Sequence, residues 1–164
     1  MRRMATMILL SAIPGSGKST WARAYQETHP NTYIVASDEI RLRLTGSVQN
    51  FEHEALIWET FLKEINEHAH EECTVIADAT NLQNRYRRFY CESTPDFDRH
   101  VLVVFDIPFE TCLRQNRMRS KGKVVCDEAM VSLYNEFEPP LPETIDLYDE
   151  YIVIDENYEQ RREK

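Results

Sequence analysis

The sequence contains few glycines, few cysteines and no long apolar run, and each shortage excludes a class of protein. Four glycines and seven prolines among 164 residues exclude a collagen-like or low-complexity chain. No apolar stretch approaches the roughly 20 residues of a membrane span, so we expect no membrane anchor. The four cysteines are scattered without CxxC spacing, which disfavours both a disulfide framework and a zinc site.

The apolar segment near the N-terminus is too short for a secretory signal. Arg2 and Arg3 precede the apolar run at 7–10, which continues directly into a Pro-Gly-Ser-Gly-Lys sequence. A signal peptide needs a longer apolar core followed by a cleavage region. We therefore expect a cytoplasmic protein with reduced thiols.

The sequence also has no excess of positive charge. The formal net charge is −9 at pH 7, which disfavours a broadly basic, nucleic-acid-coating protein. The charge is uneven, because residues 85–123 contain nine basic and five acidic residues, a local balance of +4. Such a segment fits an anionic ligand bound in one place, although basic runs are often solvated helix faces.

The sequence that is present alternates short apolar runs with amphipathic segments. This alternation predicts an α/β fold: a doubly wound, mostly parallel, five-stranded sheet flanked by helices. The length of 164 residues suits one domain, which we place at 1–155, followed by a charged tail at 156–164. The expected strands lie at 6–12, 33–36, 74–77, 101–105 and 151–154.

Two of the expected helices have local signals of their own. Thr80 and Gln83 have the spacing of a capping box at the start of the helix after the third strand. Apolar residues at alternating four- and three-residue steps predict one face of a long helix after the second strand. The residues of that face are Phe51, Ala55, Trp58, Leu62, Ile65 and Ala69.

The first strand runs into a sequence with the spacing of a phosphate-binding P-loop, except that Ala12 replaces its first glycine. Gly15 and Gly17 allow backbone N–H groups to turn toward a phosphate, and the following helix adds its positive dipole end. Lys18 is expected to bridge the terminal phosphates of ATP, and Ser19 to contribute a hydroxyl ligand to Mg²⁺. The predicted nucleotide-binding residues are Pro14, Gly15, Ser16, Gly17, Lys18, Ser19 and Thr20.

Asp78 follows the third apolar run and is the second candidate metal ligand. Ligands of doubly wound sheets gather at the carboxyl ends of the strands, so this carboxylate should face the same crevice as the P-loop. There it could hold a water molecule bound to Mg²⁺. The alternative is an aspartate that merely ends a strand or caps a helix.

Asp38 and Arg41 follow the second strand, three positions apart on one face of a helix. A carboxylate that orients an acceptor hydroxyl, beside an arginine that binds an anion on that acceptor, would form a phosphoryl-acceptor site. Ser37 and Asp38 acting only as helix caps, with a solvated Arg41, is the alternative.

A basic stretch follows the fourth strand and contains Arg114, Arg117, Arg119, Lys121 and Lys123. Kinases of this architecture need a mobile cover that excludes water and brings positive charge to the transferring phosphate. We therefore place a helical lid at about 114–125, with Arg117 and Arg119 as candidate catalytic residues. The alternative is a solvated helix face.

Taken together, these segments resemble the kinase domain of polynucleotide 5'-kinases. The likeness covers nearly the whole chain in the family's order and is most specific in Asp38 with Arg41 and in the Thr-Asn-Leu turn at 80–82. The matching segments are residues 14–23, Ser-Asp-Glu-Ile-Arg at 37–41, Asp-Ala-Thr-Asn-Leu at 78–82, Phe-Asp-Ile-Pro at 105–108, and 114–125.

The resemblance implies ATP-dependent phosphorylation of the 5'-hydroxyl of a nucleic-acid end. It implies that Asp38 is the general base, that Arg41 contacts a substrate phosphate, and that Arg117 or Arg119 reaches the phosphates of ATP. Two other functions stay open: a kinase for a small hydroxyl acceptor such as a sugar, nucleoside or antibiotic, and a P-loop binding module with little turnover.

Overall fold

The computed structural model describes residues 4–157. Five strands alternate with helices: β1 (Ala5–Ser11), β2 (Thr32–Ala36), β3 (Cys73–Asp78), β4 (Arg99–Asp106) and β5 (Glu150–Asp155). The helices are α1 (Lys18–Thr28), α2 (Ser37–Thr45), α3 (Glu54–Asn66), α4 (Asn84–Glu92), α5 (Phe109–Arg117), α6 (Asp127–Glu136) and α7 (Pro142–Ile145). A short 3-10 helix covers Lys121–Lys123. Residues 158–164 of the expected tail lie outside the described part of the chain.

The strands form one sheet in the order β2-β3-β1-β4-β5, and all four pairings are parallel. This confirms the predicted α/β sheet. Residues of β1 are buried on both faces, because helices cover both sides of a doubly wound sheet. Parallel pairing brings the carboxyl ends of β1, β2 and β3 to one edge of the sheet. The P-loop follows β1 there, α2 follows β2, and Asp78 is the last residue of β3.

Most of the core lies in two layers, one on each face of the sheet, and a smaller third cluster consists of Ile13, Leu82, Cys112 and Met130. One cluster joins α3 and α4 to alternate residues of β1, β3 and β4. The other joins α1 to the intervening residues of β1 and β4 and to the end of β5. The register of β1 is therefore fixed, because a shift by one residue would exchange its two buried sets.

Two details of the helices differ from the sequence-based expectations. The buried face of α3 consists of Ile57, Phe61 and Ile65, whereas Ala55 is exposed and Phe51 precedes the helix. The expected capping box at Thr80 is wrong, because α4 begins only at Asn84, with Gln83 as its cap and no side-chain cap bond. The turn between β3 and α4 instead contacts the P-loop strand. None of the helices within residues 4–157 is long and apolar enough to cross a membrane.

Candidate active site

The segment between β1 and α1 is a tight loop built on two left-handed glycines. Gly15 has a φ of 81° and Gly17 a φ of 92°, values that residues with a Cβ rarely adopt. Ala12 is fully buried, is not among the residues of positive φ, and donates its N–H to the carbonyl of Thr80 at 2.9 Å. The glycine that usually stands at this position is therefore not required by the backbone here.

Three side chains converge where the loop meets β3. Ser19 Oγ donates to Asp78 Oδ2 at 2.9 Å, and Lys18 Nζ lies 3.2 Å from Asp78 Oδ1. Ser16 Oγ, in the loop, is buried and has no hydrogen-bond partner among the described residues. A buried hydroxyl without a partner, beside a cation and a left-handed loop, fits a site that binds phosphate oxygens.

The oxygen atoms of Ser19 and Asp78 also fit Mg²⁺, provided that phosphate oxygens complete its coordination. No group of three or more His, Cys, Asp or Glu within residues 4–157 could hold a metal alone. Mg²⁺ is commonly bound through one or two carboxylates together with substrate phosphates and water. Ser19 and Asp78 are the residues of this chain that could contribute to such a site.

The turn after Asp78 is fixed to β1 by buried polar contacts. Ser11 Oγ donates to the carbonyl of Asn81 at 2.7 Å, and Asn81 Nδ2 donates to the carbonyl of Leu10 at 2.9 Å. Arg87, which is fully buried, donates to Ser11 Oγ and to the carbonyl of Leu82. Burial lowers the pKa of Arg87 to about 10. These bonds explain how Asn81 keeps a φ of 44°, and they fix the turn against the base of the P-loop.

Asp38 and Arg41 lie together on α2, as their spacing predicts. Arg41 Nη1 donates to Asp38 Oδ1 at 2.8 Å. Glu54, at the start of α3, accepts two further bonds, from Arg41 Nε at 3.0 Å and from Nη2 at 2.7 Å. Arg41 is only 3% exposed, so the alternative of a solvated arginine is wrong.

Two aromatic rings complete the environment of this guanidinium. Its Cζ lies 4.8 Å from the ring centroid of Phe51 and 6.0 Å from that of Trp58. Phe51 is 62% exposed and lines the cleft beside Arg41. Glu54, Phe51 and Trp58 were not predicted as site residues, because their relation to Arg41 depends on how α3 packs against α2.

The basic stretch crosses the cleft from α5 to α6. Arg119 Nη2 lies 3.9 Å from Asp38 Oδ2, and Lys123 Nζ lies 3.6 Å from Glu39 Oε1. The base of the stretch is fixed by Asn116, whose side chain donates to the carbonyl of Val125 at 2.6 Å and accepts from its N–H at 3.1 Å. The predicted lid region thus lies over the side of the cleft that contains Asp38 and Glu39.

The two candidate lid arginines lie in different places. Arg119 lines the cleft, whereas Arg117 is exposed on the outside and donates to Asp127 Oδ2 at 2.6 Å. This separation follows from the end of α5 at Arg117, after which the chain turns inward. Arg114, one turn earlier, also lines the cleft. The structure therefore does not bring Arg117 to the site and brings Arg114 there instead.

The P-loop, Asp78, Asp38, Arg41 and Arg119 line one cleft of about 1790 Å³. The P-loop lies at its centre, with Pro14 and Thr20 among the lining residues. Asp38, Arg41 and Phe51 line another part of the cleft. Arg114 and the end of β5, from Ile154 to Glu156, also line it.

The sequence matches the model of the AAA domain family AAA_33 over residues 7–140. An L-seryl-tRNA(Sec) kinase from Methanococcus maripaludis is 26% identical over 144 residues, which are 82% of this chain and 53% of that protein. The chain therefore spans about half the length of this curated relative.

Solved structures share the fold. One chain of the Pnkp1/Rnl/Hen1 RNA repair complex superposes with a TM-score of 0.71 at 24% identity, covering 91% of this chain and 48% of that chain. A gluconokinase from Sinorhizobium meliloti 1021 superposes with a TM-score of 0.63 at 18% identity, covering 94% and 84%. The match to the family model covers more than half of the sequence, so the chain belongs to the AAA domain family AAA_33 and folds as a P-loop kinase.

Proposed function

We propose that this protein is an ATP-dependent phosphotransferase that moves the γ-phosphate to the 5'-hydroxyl of a polynucleotide. The observation that supports it best is the cleft itself, which is lined by the P-loop with Lys18 and by Asp38 beneath Arg119. A nucleotide-binding module without turnover does not need a carboxylate of this kind beside its phosphate site.

The phosphate end of the reaction belongs to the P-loop and Asp78. Backbone N–H groups of residues 14–20 bind the phosphates, and Lys18 leaves Asp78 to bridge the β- and γ-phosphates. Ser19 and Asp78 would hold Mg²⁺, and a bound Mg²⁺ would supply positive charge against the negative charge of the transferred group. Ser16 Oγ supplies a further donor, since its hydroxyl has no hydrogen-bond partner within residues 4–157.

The acceptor end belongs to Asp38 and Arg41. Asp38 accepts a hydrogen bond from the attacking hydroxyl, orients it, and takes its proton as the oxygen bonds to the γ-phosphorus and the bond from that phosphorus to ADP breaks. A weak base is sufficient, because phosphoryl transfer passes through a loose transition state. The double bond from Arg41 to Glu54 fixes the guanidinium, and the guanidinium in turn fixes Asp38. The remaining N–H groups of Arg41 can contact a phosphate of the acceptor.

Arg119 is the lid residue that reaches both ends. In the structure it approaches Asp38 to 3.9 Å. In the closed complex it moves to the transferring phosphate, where a cation stabilises the transition state in a site that excludes water. Arg114 also lines the cleft, and in this proposal it contacts the nucleotide.

A polynucleotide acceptor is supported by the charges around Asp38. Three carboxylates, Asp38, Glu39 and Glu54, lie in ion pairs with three cations, Arg41, Lys123 and Arg119. The acceptor side is therefore balanced rather than acidic, and it tolerates an acceptor that itself carries phosphates. The names of the similar tRNA kinase and of the RNA repair complex agree with this acceptor.

The experiment supplies purified protein with labelled ATP, Mg²⁺ and a panel of 5'-hydroxyl oligonucleotides, nucleosides and sugars. We expect label at the 5' end of oligonucleotides, lost by several orders of magnitude in Lys18→Ala and in Asp38→Asn. Lys63→Ala and Asp146→Asn change the same residue types at exposed positions outside the cleft and should retain activity. Labelling of a sugar alone, or ATP hydrolysis without any labelled acceptor, would contradict the proposal.

A further inference from the structure

A second groove continues the acceptor side of the cleft along α4. It has a volume of about 590 Å³, and Trp58 and Thr80 line both it and the main cleft. Its far wall is formed by Arg85, Tyr86 and Phe89. We refer to this region as the α4 groove.

The outer face of α4 combines aromatic and basic side chains. Tyr86 is 41% exposed and Phe89 47% exposed, one helical turn apart. Arg85 Nη2 donates to the Tyr86 hydroxyl at 2.9 Å, and its Cζ lies 4.6 Å from the centroid of that ring. Gln83 accepts a bond from Arg85 Nε at 2.7 Å. The arginine is therefore already ordered beside the exposed rings.

Aromatic surfaces with an ordered guanidinium are typical of sites that bind single-stranded nucleic acid. Every base can stack on a ring or on an arginine plane, and the backbone phosphate is attracted to the cation. Arg85 is matched by one carboxylate among the residues lining the groove, that of Glu136. Stacking, rather than net charge, would therefore dominate binding there.

We propose that the α4 groove binds the nucleotide that follows the 5'-terminal one of the acceptor strand. Its base stacks on Phe89 and Tyr86, and its phosphate lies near Arg85. This inference rests on the proposed function and extends it, because it makes an oligonucleotide a better acceptor than a mononucleotide. Continuity through Trp58 and Thr80 supports it: a strand whose 5' end lies at Asp38 can leave the cleft by this path.

The test compares kcat/KM for adenosine 3'-monophosphate and for a hexanucleotide with a 5'-hydroxyl. The unaltered protein should favour the hexanucleotide, and Phe89→Ala should reduce this preference by roughly 5- to 150-fold, through KM, if one base loses its stacking partner. Phe89→Trp should retain the preference. Tyr134→Ala is the matched control, since Tyr134 is 50% exposed on α6 and lines neither groove.

A hexanucleotide with 2-aminopurine as its second base gives a readout besides activity. Its fluorescence should be quenched on binding to the unaltered protein and much less quenched on binding to Phe89→Ala. Equal losses on both substrates in Phe89→Ala, or no preference for the hexanucleotide in the unaltered protein, would overturn the assignment of the α4 groove alone. Phosphorylation of a sugar but of no nucleotide would overturn both this inference and the proposed function.

Discussion

Replacement of Gly15 by alanine should destabilise the protein far more than the same replacement at other glycines. A Cβ built at Gly15 would lie 2.2 Å from the carbonyl oxygen of Cys112 and 2.9 Å from the backbone nitrogen of Asn116. Both atoms belong to the backbone of α5, so no side chain can rotate away to make room. The P-loop therefore packs closely against α5 at Gly15, where only a residue without a side chain fits.

The magnitude can be separated into two parts with a matched glycine. Gly46 ends α2 with a φ of 86°, and no atom of the described residues comes within 4 Å of an added Cβ. Gly46→Ala should therefore show only the left-handed strain, about 1–2 kcal/mol. Gly15→Ala has the same strain at a φ of 81° and adds an overpacking term of about 1–3 kcal/mol. Gly122, with an ordinary φ and open space, should tolerate alanine.

Urea denaturation followed by circular dichroism measures these differences as shifts of the midpoint at constant slope. The expected order of stability is Gly122→Ala and the unaltered protein first, then Gly46→Ala, then Gly15→Ala. Equal midpoints for Gly15→Ala and Gly46→Ala would refute the argument, because they would mean that α5 does not approach the P-loop as described.

Two further predictions concern the lid and the thiols. Arg119→Ala should lower kcat more than it raises KM for ATP, whereas Arg117→Ala should leave both nearly unchanged, because Arg117 pairs with Asp127 outside the cleft. Steady-state kinetics of the two variants test this, and a larger loss of kcat in Arg117→Ala than in Arg119→Ala would contradict it. Iodoacetamide at pH 8 should modify the exposed Cys126 well before Cys112, since burial raises the pKa of Cys112 to about 11 and keeps it protonated; peptide mapping that finds Cys112 alkylated as fast would contradict this.

Local signals in the sequence were sufficient to predict the centre of the site. The apolar run before the P-loop, and the aspartates that follow β2 and β3, are each recognisable within a few residues. Parallel pairing then brings them to one edge of the sheet without further information. The alanine at position 12, where a P-loop usually has glycine, does not disturb the loop, because the left-handed backbone lies at Gly15 and Gly17.

The rest of the site depends on contacts between distant segments and on where helices end. Glu54 follows Arg41 by 13 residues and meets it only because α3 folds back on α2. The separation of Arg117 from Arg119 was not predictable from helical spacing, since α5 ends between them and periodicity no longer applies. The predicted face of α3 was partly right, because Trp58, Leu62 and Ile65 pack against the core. It missed the buried Ile57 and Phe61, since α3 also has exposed apolar residues and apolar spacing alone does not identify one face.

The pairing of Lys18 with Asp78 links the stability of the nucleotide-free protein to its chemistry. The side chain of Lys18 is 12% exposed and that of Asp78 is 6% exposed, so each neutralises the charge of the other in a site with little water. Removing one partner of a fully buried pair destabilises a protein by about 3–5 kcal/mol, which is an upper bound for this slightly exposed pair. Lys18→Ala therefore affects folding as well as phosphoryl transfer, whereas the double variant Lys18→Ala with Asp78→Asn removes the stranded charge. If the loss of activity in Lys18→Ala came only from unfolding, the folded fraction of this variant, measured by circular dichroism, would fall as far as its turnover. For the double variant, recovery of the fold without turnover is expected, because it lacks both Lys18 and the Asp78 carboxylate that the proposed reaction uses at the phosphates.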